Sequence, residues 1–208
     1  MSTILLTGFE PFDGADRNPS GEAVTEVART YRGPHQLVTA TLPVAFARAA
    51  ERLRALIDEH TPDAVVATGL AAGSDRIAVE RVGVNLMDAR IPDNDGRQPA
   101  DEASEPGGPA ARFATLPVKR IARALDDHGL PARLSLSAGS YVCNHVLYTA
   151  LSAVRGDARA GFVHLPWSSS CAPEGAAHLP DEDLARAVGV VIDHVFEPEE
   201  SHPGGSVW

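Results

Sequence analysis

A chain of 208 residues, 44% of them hydrophobic and 22% charged, has the length and composition of one globular domain with a sizeable core. Its formal net charge of −10, with Lys and Arg scattered along the chain, argues against nucleic acid or an anionic membrane surface as a partner. No apolar run approaches the roughly 20 residues of a membrane span, and two widely separated cysteines make neither a disulfide framework nor a zinc-ligand cluster.

The opening Met1-Ser2-Thr3 has no basic segment and no cleavage site, so no signal peptide is expected and a reducing cytoplasm is the expected compartment. Ile4 to Thr7, closed by Gly8, reads as a buried strand. Asn18-Pro19-Ser20 is an N-cap with proline at the first helical position, and a helix follows through Ala23, Val24 and Val27. Leu37 to Val44 predicts a second strand. Apolar residues at spacings of 3, 4 and 7 predict an amphipathic helix over Ala45 to Glu59. Ala64 to Thr68 is a further buried strand ending at Gly69, and Ile77 to Leu86 alternates as one strand.

From Met87 to about Pro117 periodicity fails, and proline, glycine and acids crowd a loop of roughly thirty residues, more typical of a site or lid than of a linker. Pro117 to Asp127 predicts a helix, Arg133 to Leu136 a strand, Cys143 to Ala153 a helix and Ala160 to Leu165 a strand. Asp181 to Phe196 predicts the last helix. The alternation points to an α/β fold, a single three-layer α/β/α sandwich with a mixed, mostly parallel central sheet. One domain over residues 1–197 is expected, with a frayed tail over 198–208.

Cys143 follows a strand and a turn at Gly139 and stands at or near a helix start, where unpaired N–H groups and the helix dipole favour thiolate and can hold an oxyanion. Taken alone, a free cysteine is more often a small buried hydrophobe. Of eight histidines, His164 is delivered by an apolar strand just before Pro166, where α/β sheets gather their functional groups. His145 lies two residues from Cys143 and, on a helix, faces elsewhere. Glu80 is an acid inside an apolar strand and suits the role of orienting a base, or that of an outward residue paired with Arg81. Arg90 opens the long loop, either as an oxyanion support or as an exposed cation.

Together these segments closely resemble the pyroglutamyl-peptidase I family. The matching stretches include Leu6-Thr7-Gly8-Phe9-Glu10-Pro11-Phe12, Asn18-Pro19-Ser20, Glu80-Arg81-Val82 and Ala89-Arg90-Ile91-Pro92-Asp93-Asn94. They continue through Gly107-Gly108-Pro109-Ala110, Cys143-Asn144-His145 and Gly161-Phe162-Val163-His164, in order over residues 4 to 166.

The resemblance implies a cysteine peptidase that removes an N-terminal pyroglutamyl residue through a thioester, with Cys143 as nucleophile, His164 as base and Glu80 as third member. It implies that Arg90 supports the reaction centre and that Phe9, Phe12, Asn18 and Tyr141 bind the lactam. No metal or cofactor is expected. The expected partners are pyroglutamylated peptides and further copies of the chain, as a homodimer or homotetramer. Leu70 stands where many members have Gln, and Tyr141 where several have Phe. Cys171 has no catalytic counterpart. A nucleoside-phosphorylase-like enzyme and a non-catalytic binding module on a similar fold are the alternatives, although no convincing phosphate loop is present.

Overall fold

The computed structural model describes residues 1–204. The chain opens with β1 (Thr3–Phe9), α1 (Pro19–Thr30), β2 (Gln36–Leu42), α2 (Phe46–His60) and β3 (Ala64–Leu70). Two short strands follow, β4 (Ile77–Glu80) and β5 (Val82–Val84), and β6 (Ala111–Phe113) closes the long loop. Next come α3 (Val118–Asp127), β7 (Ala132–Ser135), α4 (Val142–Ala153) and β8 (Arg159–Leu165). Two-residue strands β9 (Trp167–Ser168) and β10 (His178–Leu179) precede α5 (Asp181–His194).

Six strands form the central sheet in the order β2-β1-β3-β8-β4-β7, and only the β8–β4 pair is antiparallel. A strand buried on both faces needs apolar residues at consecutive positions, and β1 supplies them: Ile4 and Leu6 pack with α1, α3 and α5, while Leu5 packs with α2 and α4. Leu125, Val188 and Val191 fill the first layer, and Phe46, Leu53, Val146 and Leu147 the second. Each such side chain contributes roughly 1.5–3 kcal/mol when fully buried. The expected three-layer sandwich with a mixed, mostly parallel sheet is what the chain forms. No helix among the described residues is long and apolar enough to cross a membrane.

The single strand expected over Ile77 to Leu86 is two. After Glu80 the chain leaves the central sheet, and β5 pairs with β6 in a separate ladder. Asn144 on α4 holds the departing segment. Its Oδ1 accepts from Val84 N–H at 2.9 Å, and its Nδ2 donates to the carbonyls of Val84 and Leu86 at 2.9 and 3.0 Å. Gly83 permits the approach, since a Cβ there would stand 3.1 Å from both Leu147 Cγ and Tyr148 N.

The long loop is likewise structured. Met87 bridges to Glu102, and Asn85 bonds the backbone of Glu105 and Gly108. Where fraying is expected past α5, the Glu199 carboxylate accepts from the backbone N–H groups of Lys119 and Arg120 at the start of α3. The fraying expected over 205–208 lies outside the described residues.

Candidate active site

Adjacent antiparallel strands place Glu80 and His164 on one face of the sheet. In their register Ala78 opposes His164 and Glu80 opposes Phe162, so the two polar side chains are diagonal neighbours. The Oε1 of Glu80 lies 2.8 Å from His164 Nδ1. Glu80 is 1% exposed and His164 7%. An acid and a base this deeply buried are tolerated because each is the other's partner.

Cys143 is the second residue of α4. The first intrahelical bond runs from His145 N–H to Tyr141 O at 3.2 Å, leaving the N–H groups of Val142, Cys143 and Asn144 ahead of it. No side chain caps this end and no acid stands in its first turn. The turn before it passes through Gly139, whose φ of 76° is the left-handed conformation that a Cβ disfavours. Ser140 then pins the turn to Asp88 by two bonds, O to N–H at 3.0 Å and Oγ to O at 2.6 Å.

Burial by itself lowers the basicity of the His164 ring. Hydrogen bonding to the Cys143 sulfur and to Glu80, together with their charges, outweighs it and leaves the imidazole pushed up to about 9 from 6.5.

Cys143 and His164 open into a cavity of about 140 Å³ walled by Phe9, Phe12, Val44, Leu70, Tyr141 and Val142, with Asn18 at its edge. The four residues expected to bind a ring thus meet around one small apolar space. Asn18 touches it with an amide already engaged: Oδ1 accepts from Ser20 N–H and Oγ, and Nδ2 donates to Glu10 O. It caps α1 and ties down the loop carrying Phe12. Arg90 is not brought in. It is exposed, and its guanidinium bonds nothing among the described residues. A larger open groove of about 740 Å³ runs between α1 and α5, sharing only Phe9 and Asn18 with the cavity.

His145 is buried and faces the Phe46 ring at 5.8 Å, and it does not line the cavity. Burial and then the charges of Arg54 and Arg97 lower it to about 4. Cys171 sits apart, its sulfur 3.0 Å from Ser168 Oγ. Among the described residues no three His, Cys, Asp or Glu side chains are grouped to hold a metal.

Gly69, read from sequence only as a strand end, has a positional role. It pairs with His164, and a Cβ on it would lie 2.7 Å from Phe162 Cζ and 2.9 Å from Cys143 Sγ. Its absence leaves room for the Phe162 ring, 4.7 Å from the His164 ring, and for the Cys143 sulfur. Gly69→Ala is expected to slow alkylation of Cys143 by iodoacetamide about tenfold or more. The overpacking costs about 1–3 kcal/mol, which calorimetry will read as a lowered but cooperative transition. An alkylation rate equal to wild type contradicts this role.

Residues 2–196 match the family described as pyroglutamyl peptidase. The pyrrolidone-carboxylate peptidase of Clavibacter michiganensis is 49% identical over 195 residues, covering 92% of each chain. That of Chromobacterium violaceum is 43% identical over 211 residues, covering 100% of both. The crystal structure of pyroglutamyl peptidase I from Bacillus amyloliquefaciens superposes with a TM-score of 0.92 at 36% identity, covering 98% of this chain and 99% of that one. Pyrrolidone carboxyl peptidase from Thermococcus litoralis gives 0.89 at 37% identity, covering 95% and 94%.

Proposed function

The chain belongs to the pyroglutamyl peptidase family, a family of cysteine peptidases, and from that premise we propose that Cys143, His164 and Glu80 together hydrolyse the bond after an N-terminal pyroglutamyl residue. The observation that carries the assignment is the buried 2.8 Å contact between Glu80 and a His164 ring held strongly basic beside the Cys143 sulfur.

In this reading His164 carries the thiol proton, and Glu80 orients the ring and balances its positive charge. The Cys143 sulfur attacks the pyroglutamyl carbonyl, and the uncapped N–H groups at the start of α4 hold the negative charge that develops on oxygen. The proton on His164 passes to the leaving amine. Water, with its proton taken by His164, then opens the thioester and frees pyroglutamate. Phe9, Phe12 and Tyr141 flank the lactam, and Leu70 offers it an apolar wall where a Gln would offer an amide. A neutral, flat ring without an ammonium group suits such a pocket. Arg90 joins only through contact with bound substrate, since it neither lines the cavity nor bonds any described residue through its guanidinium. A homodimer or homotetramer and a cytoplasmic location complete the proposal on the strength of the family resemblance.

Fluorophore release from a pyroglutamyl amide, compared with the corresponding prolyl amide, tests the substrate. The two differ by the lactam carbonyl, which also leaves the lactam nitrogen neutral where the prolyl nitrogen is a charged amine. A pocket that reads this group is expected to favour the pyroglutamyl compound by about 10²-fold or more in kcat/KM. Equal rates for the two refute the lactam assignment.

A further inference from the structure

Three walls of the cavity converge on one short segment of the long loop, Pro92-Asp93-Asn94. The Tyr141 hydroxyl donates to Pro92 O at 3.0 Å. The Asn94 side chain donates through Nδ2 to Glu10 Oε1 at 2.9 Å and to Pro11 O at 3.0 Å, gripping the turn between Phe9 and Phe12. Its backbone N–H donates to Val44 O at 2.9 Å, and Glu10 Oε1 accepts in return from Val44 N–H at 3.2 Å. The segment is itself held in shape. Asp93 Oδ1 accepts from the N–H groups of Asp95 and Arg97, and its Oδ2 accepts from Phe46 N–H at the start of α2.

None of these bonds reaches Cys143, His164 or Glu80. The segment therefore fixes where the ring-binding walls stand without touching the groups that react. We propose that Asn94 is a positioning residue that sets the width of the lactam pocket, by clasping the Phe9–Phe12 turn and Val44 to the same loop segment that tethers Tyr141. This inference rests on the pyroglutamyl reading of the cavity and adds a determinant of its specificity. Asn94 is exposed, so water replaces the bonds it loses, and the fold is expected to survive its substitution. Both partners of Nδ2 are acceptors, which makes Asn94→Asp the sharpest change. It keeps the shape and sets a carboxylate against a carboxylate and a carbonyl.

For Asn94→Asp, KM for the pyroglutamyl amide is expected to rise about tenfold or more, with kcat within about threefold of wild type. The preference over the prolyl amide narrows, and iodoacetamide alkylates Cys143 at the wild-type rate. Adding Glu10→Gln restores a donor facing the new carboxylate and brings KM part of the way back. Should Asn94→Asp fail to fold, Tyr141→Phe removes only the bond to Pro92 O, and its KM is expected to rise about two- to tenfold. An unchanged KM in a folded Asn94→Asp enzyme overturns the clasp, as does a joint fall of kcat and alkylation rate. A wild-type enzyme with no lactam preference refutes the substrate reading instead, so the two failures are distinct.

Discussion

Cys143→Ala is expected to remove pyroglutamyl amidase activity by about 10⁴- to 10⁶-fold while leaving the protein folded. Two roles for this side chain differ sharply in magnitude. As a half-buried packing group at the start of α4, its truncation costs about 1 kcal/mol of stability and leaves rates untouched. As the attacking atom, its loss raises the barrier by about 5–8 kcal/mol. Residual hydrolysis then comes only from binding and from the N–H groups ahead of the first α4 bond. Cys143→Ser keeps the geometry but substitutes a hydroxyl that the same ring deprotonates far less readily, so it too is expected to be nearly inactive and blind to iodoacetamide. Cys171 is an internal control. It lies outside the cavity, and Cys171→Ser is expected to leave both kcat/KM and alkylation sensitivity in place. Full activity in a folded Cys143→Ala protein rules out the thiol mechanism.

The parts of this molecule that sequence reveals are those written in a local period. Helices α1, α2 and α5 announce themselves through apolar residues on one face, and α1 also through Asn18 and Pro19 at its start. The strands that are buried on both faces, β1, β3 and β8, stand out as mainly apolar runs, interrupted in β8 by His164. What stays hidden depends on partners far along the chain. The alternation from Ile77 to Leu86 is correct for strand, but nothing within it says that Asn144 draws its second half into another ladder. Gly69 looks like punctuation because the sulfur and ring that fill its missing Cβ come from residues more than seventy positions away.

The site divides in the same way. Cys143, Glu80 and His164 are visible in the sequence as ambiguous single residues, and the common orientation of Glu80 and His164 needs the antiparallel register of β4 on β8. Asn18 lines the cavity, yet its amide is spent on Ser20 and Glu10. Asp93 and Asn94 carry no periodic signal, since a loop held by side-chain bonds to backbone has none to offer.

The second large effect concerns Glu80 and pH. Burial works against a charged His164, and the ring is nonetheless held at about 9 against an ordinary 6.5. The imidazolium therefore persists through neutrality, and the activity that depends on it is expected to fall as pH rises through about 9. The same linkage gives a stability increment that is fully present below 6.5 and is lost as pH climbs through 9. Glu80→Gln leaves an oxygen able to accept from Nδ1 but removes the balancing charge. Burial is then opposed mainly by the Cys143 sulfur, so the alkaline limb of kcat/KM moves to lower pH, and kcat falls by about 10²- to 10⁴-fold. The change also puts an amide where Glu80 Oε2 is buried without a hydrogen-bond partner. Two unpaired N–H donors there cost about 1–3 kcal/mol, so the melting transition drops as well. Glu80→Asp separates charge from reach. A carboxylate drawn back by one methylene still opposes the deprotonation of His164, and the alkaline limb stays above that of Glu80→Gln even as kcat falls. If Glu80→Gln keeps the wild-type limb, the charge on Glu80 is not what holds the ring protonated, and the Cys143 sulfur must do so alone.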